Sequence, residues 1–525
     1  QPREMGLFLL IVEDAGVQSA VATRLRESGV DFFDAAKPFG YQVARAVWGW
    51  AEMLARKAWG IGRHVYRMAT AKALGFREGV LHERANIATR PWILLHNWVD
   101  ARSFDAHGRY NDIFFGSLRD ELQKRGLPVA VVAAVLYKAS YWRLLLQLKR
   151  SGIPVLVPHA ALTAGDLLGW ARSLLRKPPA KRSWPRFNGF DVSGILHEDE
   201  RRDWMHTRVD DVRLVAPVVR NWRQQLALGA FIYTYEGHTW ERGYCRAVRE
   251  HFPKARLIGY QHSTLSPMYL SHFISEKEQG KVPFPDRVVT NGLYHYEMLQ
   301  QNGVPEQVLS LGGAFRYGPS IGRTGRPVFH ADRSHAAPIR VLAALSIFET
   351  QAAELLMAAM AAFADPKQFR VLLKFHPSLP ASRVAAAAGL ALHSIPSHLQ
   401  VRDEPISPLF AQSDVLIYTD TTAAVEALAY GVPLVHLQSD HAIDMDRLGS
   451  FDGSRASVGT AEGLREAVRA VVNVSGEEHA ARIRRWREVV DLLLPQPDGK
   501  MIDLFMPDGL REKPSGVGHI AENVQ

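Results

Sequence analysis

The same grammar is written twice along this 525-residue chain: strand-length runs of β-branched and aliphatic residues alternate with amphipathic segments of helix length. In the first set the runs fall at 92–95, 128–135, 154–157, 230–234, 256–260, 287–290 and 309–311, with helical patterns at 112–125, 141–151, 211–228, 240–252 and 294–302 between most of them. In the second set, runs at 339–345, 370–375, 414–419 and 433–437 enclose helical patterns at 349–363, 382–388 and 422–430, and further helices at 461–472 and 477–493 close it. A strand that is followed by a helix and then by another strand is the signature of a parallel sheet with helices on both faces, so the expected fold is α/β with two Rossmann-like domains facing across a cleft.

The stretch 312–338, rich in Gly, Pro and Arg, separates the two sets. The expected organisation is therefore a βα and helical appendage over 1–88, a first Rossmann-like domain over 89–315, a linker over 316–335, a second Rossmann-like domain over 336–495, and a tail over 496–525. The appendage carries a strand-like run at 7–12 flanked by Glu4, Glu13 and Asp14, which argues against a secretory leader, and a Trp-rich helical run at 41–74. No stretch has the uninterrupted apolar length of a membrane span, because the nearest, 127–148, contains Lys138 and Arg143. A single cysteine, Cys245, leaves no internal disulfide or cysteine cluster, which suits a reducing, cytoplasmic setting.

The formal charge of +9 favours an anionic partner, whether phosphate, acidic glycan, nucleic acid or anionic membrane surface. One basic stretch, from Arg172 to Arg186, is interrupted by Pro178, Pro179 and Pro185 and reads as an exposed loop. In open α/β sheets ligands gather at the carboxyl ends of strands, and three candidate elements sit at such ends. Lys374-Phe375-His376-Pro377 ends one strand; its imidazole can donate to a phosphate and its lysine adds a charge. Thr419-Asp420-Thr421-Thr422 ends another and opens a helix, where hydroxyls and free amides suit a phosphate or simply cap the helix. Asp420 would repel a phosphate unless it points elsewhere. The third element, Tyr235-Glu236-Gly237-His238, follows a strand of the first set, and Glu236 is the candidate to take a proton from an acceptor hydroxyl, unless it serves as a structural ion pair with Arg242 or Arg246. Gln261-His262 ends the next strand, so His262 is a second candidate base, with His238 and Gln261 as acceptor contacts.

These motifs resemble those of the bacterial sialyltransferases and Kdo-transferase-like enzymes, which carry a His-Pro element and a Ser-Ser or Ser-Thr element in their second half and an acidic-acidic-Gly element in their first. The resemblance implies that His376, Pro377, Thr421 and Thr422 hold the cytidine monophosphate of a donor, and that Glu236 is the base; Tyr235 departs from the first acidic position and Thr-Thr replaces the serine pair. The run from Ser413 to Pro433 resembles the broader GT-B glycosyltransferases, which implies a ribose or sugar contact for Glu426. The strings Trp98, Ser103-Phe104-Asp105, Tyr110-Asn111-Asp112 and Phe115-Gly116 resemble a group of surface-carbohydrate biosynthesis proteins.

No Walker loop, HExxH or cysteine cluster is present, and Asp444-Met445-Asp446, the one Asp-x-Asp, lies after the last expected core strand, so a metal-independent donor site without a cofactor is expected. The implied activity is glycosyl transfer from a nucleotide sugar, a CMP-linked Kdo or nonulosonate foremost, to a surface polysaccharide or a lipid-linked or acidic glycan, with no nucleic acid as partner and with peripheral contact at an anionic inner membrane face. A UDP-sugar or CDP-glycerol transferase, a nucleotide-sugar epimerase and a non-catalytic glycan-binding scaffold are the alternatives.

Overall fold

The computed structural model describes short stretches within residues 8–34, then 39–76, 91–136, 140–317 and 337–507, save isolated positions between 177 and 207 and position 441. The interdomain stretch centred on 316–335 and the residues beyond 507 lie largely outside the described residues. Strands β1 (Phe8–Leu10) and β2 (Phe32–Asp34) pair in parallel near the start. A seven-stranded sheet follows, built from β3 (Trp92–Val99), β4 (Val129–Val135), β5 (Val155–Leu156), β6 (Leu228–Thr234), β7 (Arg256–Tyr260), β8 (Arg287–Asn291) and β9 (Leu309–Gly312) in the order β5-β4-β3-β6-β7-β8-β9. A six-stranded sheet contains β10 (Ile339–Ala344), β11 (Phe369–Lys374), β12 (Leu399–Val401), β13 (Val415–Tyr418), β14 (Leu434–Leu437) and β15 (Ala456–Val458) in the order β12-β11-β10-β13-β14-β15. Both sheets reverse strand order about a central pair, β3 and β6 in one and β10 and β13 in the other, which is the topological switch where such sheets bind ligands.

The sequence pattern explains the second sheet face by face. Leu342, Ala344, Leu372, Leu416 and Tyr418 point to one side and pack with the helices Ala423–Ala429 and Gly476–Leu493. Val341, Ala343, Val371, Leu373, Val415 and Ile417 point to the other, against Glu349–Ala362 and Ala461–Val472. A period of two along every strand with both faces buried leaves runs that are apolar throughout, as parallel sheets require.

Two compact units divide the chain: Gln1–Asn86, Val132–Ala227 and Thr239–Pro253 form one, and Ile87–Val131, Leu228–His238 and Lys254–Gln525 the other. The first is mainly helical, built round the long helix Phe39–Ala73. The second contains the whole six-stranded sheet and β3 and β6 to β9. In this second unit the chain returns after Leu493: Ile502, Phe505 and Met506 enter the core of the seven-stranded sheet beside Ile93, Ile232 and Tyr260. The return lies against the departure, since Ala314 donates its amide to Pro495 O at 2.9 Å, and a side chain on Gly313 would come within 2.7 Å of Pro497 Cα.

Several sequence expectations are adjusted. The helical run expected at 211–228 is three short pieces, Arg208–Asp211, Val212–Leu214 and Val215–Trp222. The helix expected from 112 begins only at Leu118, because the Asp112 carboxylate accepts the amides of Phe114 and Phe115 and holds a loop there. The short strands β12 and β15 have no matching expectation. The stretch expected to be an exposed basic loop does expose Arg182 and Arg186, but Arg172 closes a helix (Ala164–Ser173), and Arg176, Arg182 and Arg186 pair with Asp210, Glu200 and Glu27. Among the described residues no helix is long and apolar enough to cross a membrane.

Candidate functional site

The seven-stranded sheet delivers its side of the site through the turns after β6 and β7. Glu236 follows β6, and Gly237 beside it adopts φ +75°, with a hypothetical Cβ only 2.1 Å from Ser271 O, so no other residue fits the turn without displacing backbone. Ser271 also donates its hydroxyl to Glu236 O at 3.0 Å. The preceding Tyr235 is buried against Gly259 and His272, a core residue where the resembling motif has an acid. Burial pushes the Glu236 carboxyl up to about 7, against the pull of the Arg316 guanidinium. Its oxygens lie 3.7 Å from His262 Nε2 and 3.4 Å from His238 Nε2. Burial, with Arg316 and His272 adding, holds His262 well below the usual imidazole range, and burial lowers His238 as well. The carboxyl thus faces two imidazoles that burial keeps from protonating, with the Arg316 guanidinium as an opposing influence, and is poised between its acid and base forms near neutrality.

His262 is buried under Phe114, ring to ring 5.2 Å, and its Nδ1 has no hydrogen-bond partner. Gln261 is wholly buried: its Oε1 accepts the Asn291 amide at 2.8 Å and its Nε2 donates to Ser263 O, so its amide ties β7 to β8. The string from Trp98 to Gly116 wraps the carboxyl end of β3. Asn97 donates to the Tyr110 hydroxyl at 2.6 Å, and Gly116 at φ +54° lies where a Cβ would meet Phe315 O at 2.0 Å.

The six-stranded sheet supplies the other side. β11 and β13 flank β10 in register, Ala344 pairing with Lys374 on one side and Tyr418 on the other. The two candidate strand ends are therefore two strand spacings apart, about 10 Å, with the end of β10 between them. His376 accepts the Ser378 amide on Nδ1 at 3.1 Å, which leaves the proton of the neutral ring on Nε2, and a turn through Pro377 closes with Leu379 N to His376 O at 2.8 Å. Lys374 turns to the chain itself: its Nζ donates to Asp403 O at 2.9 Å, and burial lowers its pKa.

At the end of β13 the helix starts at Ala423, and Thr422 makes no side-chain cap bond. Thr421 Oγ1 accepts the Ala423 amide at 3.2 Å, whereas Thr419 Oγ1 is buried without a hydrogen-bond partner. Asp420, the awkward neighbour of any phosphate, is turned into the protein and pairs with the buried Arg447. Glu426, one turn along that helix, stands close enough to Tyr317 to raise its phenol.

Arg447, Tyr269, Arg316 and Tyr317 were not singled out from the sequence, yet they join the two sides. Arg447 donates Nε to Thr264 O at 3.1 Å, Nη2 to the Tyr269 hydroxyl at 2.7 Å, and Nη1 to Asp420. Burial raises the Tyr269 phenol, Arg447 opposes the rise, and both Asp420 and Glu236 add to it. Tyr269 therefore senses the carboxylates of both sheets at once. Arg316 stacks on Phe114 and Tyr317 and is the cation that acts on Glu236 and His262. The only sequence signal for these residues is an arginine next to Asp444-Met445-Asp446. That Asp-x-Asp is structural: Asp446 accepts the Tyr418 hydroxyl at 3.0 Å and pairs with Arg455, and Asp444 accepts the Asp446 amide at 2.8 Å. Among the described residues no group of His, Cys, Asp or Glu is arranged to hold a metal ion.

The sequence matches no protein-family model and no curated protein. Among solved structures the chain is similar to the glycotransferase of kitacinnamycin, at 15% identity and a TM-score of 0.46 over 80% of this chain and 100% of that one. It is similar to a UDP-GlcNAc 2-epimerase from Neisseria meningitidis, solved with UDP-GlcNAc, at 10% identity and a TM-score of 0.45 over 79% and 98% of the two chains. A glycosyltransferase from Rickettsia africae is similar at 11% identity and a TM-score of 0.43, over 79% and 96%. The two parallel sheets themselves, not these likenesses, define the fold.

Proposed function

We propose that this protein is a glycosyltransferase that moves a sugar from a nucleotide donor to a carbohydrate acceptor. The observation that carries the reading is Glu236: a carboxyl raised to about 7, fixed by an obligatory glycine turn on one sheet, and linked through Tyr269 to the Asp420–Arg447 pair on the other. In this reading the donor phosphate lies at the ends of β11 and β13, with the Nε2 proton of His376 and the hydroxyls of Thr419, Thr421 and Thr422 as its partners. Glu426 reaches the ribose or sugar. The acceptor hydroxyl, approached by His238 but not by Gln261, whose buried amide is spent tying β7 to β8, attacks the anomeric carbon and gives its proton to Glu236 while the bond to the phosphate breaks, and Arg316 offsets the negative charge that the nucleotide takes away. His262 completes the wall behind the base. No metal or cofactor enters this scheme.

The His-Pro and Thr-Thr elements favour a CMP-linked acidic sugar such as Kdo or a nonulosonate, and a bacterial surface polysaccharide or lipopolysaccharide as acceptor, at the cytoplasmic side of the membrane. Calorimetry against CMP, CDP and UDP tests the donor: CMP should bind most tightly, and His376→Ala should weaken it by about 1–3 kcal/mol. Preference for UDP would remove the acidic-sugar donor and leave the transferase. A product that is an epimerised nucleotide sugar without transfer would replace the reaction, and a folded chain that binds no nucleotide would leave only a scaffold.

A further inference from the structure

The loop after β3 takes no direct part in the proposed transfer, yet it is tied down along its length. The Asp100 carboxylate accepts the Arg102 amide at 2.8 Å, Phe104 bridges Tyr110 across the loop, and the Asn111 amide donates to Ser103 O at 2.8 Å. Asn97 reaches the Tyr110 hydroxyl from the end of β3, and Arg119 lies over the Tyr110 ring. The buried Asp112 carboxylate accepts two amides, Phe114 N at 3.1 Å and Phe115 N at 2.8 Å, while Asp112 O accepts Gly116 N at 3.2 Å. These bonds fix two neighbouring rings. Phe115 is sunk in the core against Tyr260, and the half-buried Phe114 meets the His262 ring at 5.2 Å and the Arg316 guanidinium at 5.4 Å. Gly116 then presses on the chain that leaves β9, since a Cβ there would lie 2.0 Å from Phe315 O and 3.0 Å from Arg316 Cα.

Arg316 is held by ring faces. Its Cζ lies 5.4 Å from the centre of the Phe114 ring and 5.3 Å from that of Tyr317, and among the described residues no ion pair or hydrogen bond engages its guanidinium. Cation–π attraction orients a guanidinium without neutralising it, so the charge stays available to a neighbour. We propose that Phe114 is a positioning residue whose ring, clamped by Asp112, holds the Arg316 guanidinium where its charge acts on Glu236. The groups that face Glu236 come from three turns: His238 after β6, His262 and Tyr269 after β7, with the Arg447–Asp420 pair behind Tyr269, and Arg316 after β9. Burial keeps the imidazoles from protonating and raises the Tyr269 phenol, so Arg316 is the cation that favours the ionised carboxyl. Without it burial alone would act on Glu236, and the carboxyl would ionise at a higher pH. The bearing on rate rests on Glu236 as the base, whereas the contact between Phe114 and Arg316 stands apart from any reaction.

With glutamate labelled by carbon-13 at the carboxyl, the Glu236 resonance is identified by its loss in Glu236→Gln and titrated by NMR, whether or not the chain turns over a sugar. Phe114→Leu keeps the apolar bulk and removes the ring face, so the Glu236 midpoint should rise by about one pH unit, and the acid limb of kcat/KM should move up with it. Arg316→Gln should give the same rise. The double variant should rise no further than either single one, because both act through one contact. Phe114→Tyr restores a ring face and should titrate as the parent does. A midpoint that stays or falls in Phe114→Leu would mean that the ring only keeps water from the carboxyl, and would overturn the proposal, as would shifts that add in the double variant. The expected titrations in a chain that transfers no sugar would uphold the positioning and remove only the role of Glu236 as base.

Discussion

A carboxyl that changes charge near pH 7 leaves a mark on both rate and stability. As a base Glu236 works only when ionised, so kcat/KM should fall about tenfold per unit below about pH 7, and Glu236→Gln should lower turnover about a hundredfold or more with nucleotide affinity unchanged. For stability the sign is opposite to that of a salt-bridged acid. Between the ordinary value of 4.5 and about 7 the folded chain holds a proton that the unfolded chain has released, so this group's contribution to stability declines as pH rises through that window and is level above it. Glu236→Gln removes the decline, so its gain in Tm over the parent should be larger at about pH 8 than at about pH 5; an equal difference at both would show that the carboxyl is not raised. At the Asp420–Arg447 pair the expectation is a plain loss. Arg447→Met leaves a buried carboxylate without its cation and should cost about 3–5 kcal/mol in urea unfolding.

At the level of elements, strands were legible wherever both faces are buried, because a run such as Val129–Val135 or Ile339–Ala344 has no other economical fate than the middle of a parallel sheet. The edge strands β12 and β15 escaped because they are three residues each and mix exposed with covered positions. Helix starts were legible with a side-chain cap and without one: Thr460 caps its helix by accepting Gly463 N at 3.1 Å, while Tyr141 and Glu349 open helices at the expected residues with no cap bond. At Thr422 the capping letters are present and the cap bond is not, since Thr422 has helical backbone angles and Thr421 accepts the Ala423 amide instead, while Asp420 pairs with Arg447, a partner 27 residues away whose position no local pattern encodes. The glycine after Glu236 could be read because its conformation is a local necessity, and it gives a sharp prediction. Gly237→Ala should distort the turn after β6, lowering stability by about 1–3 kcal/mol and turnover far more than nucleotide binding, as a thermal melt, single-turnover rates and calorimetry would show.

At the scale of the molecule, the second unit holds two sheets through a chain that leaves the first after β9 and comes back to it after Leu493. The return is integral to the core: Phe505 lies 5.5 Å from the rings of both Tyr260 and Phe315 and is fully buried. Phe505→Ala should therefore destabilise the seven-stranded sheet by about 3–5 kcal/mol in denaturant titration, although the substitution is close to the end of the chain. Because the outgoing and returning segments lie side by side at Ala314 and Pro495, the two sheets are stitched together at one place by two stretches of chain. A double stitch restrains twist and shear of one sheet against the other more than a single one would, and the bonds of Arg447 to Thr264 and Tyr269 brace the same pair from the side of the site.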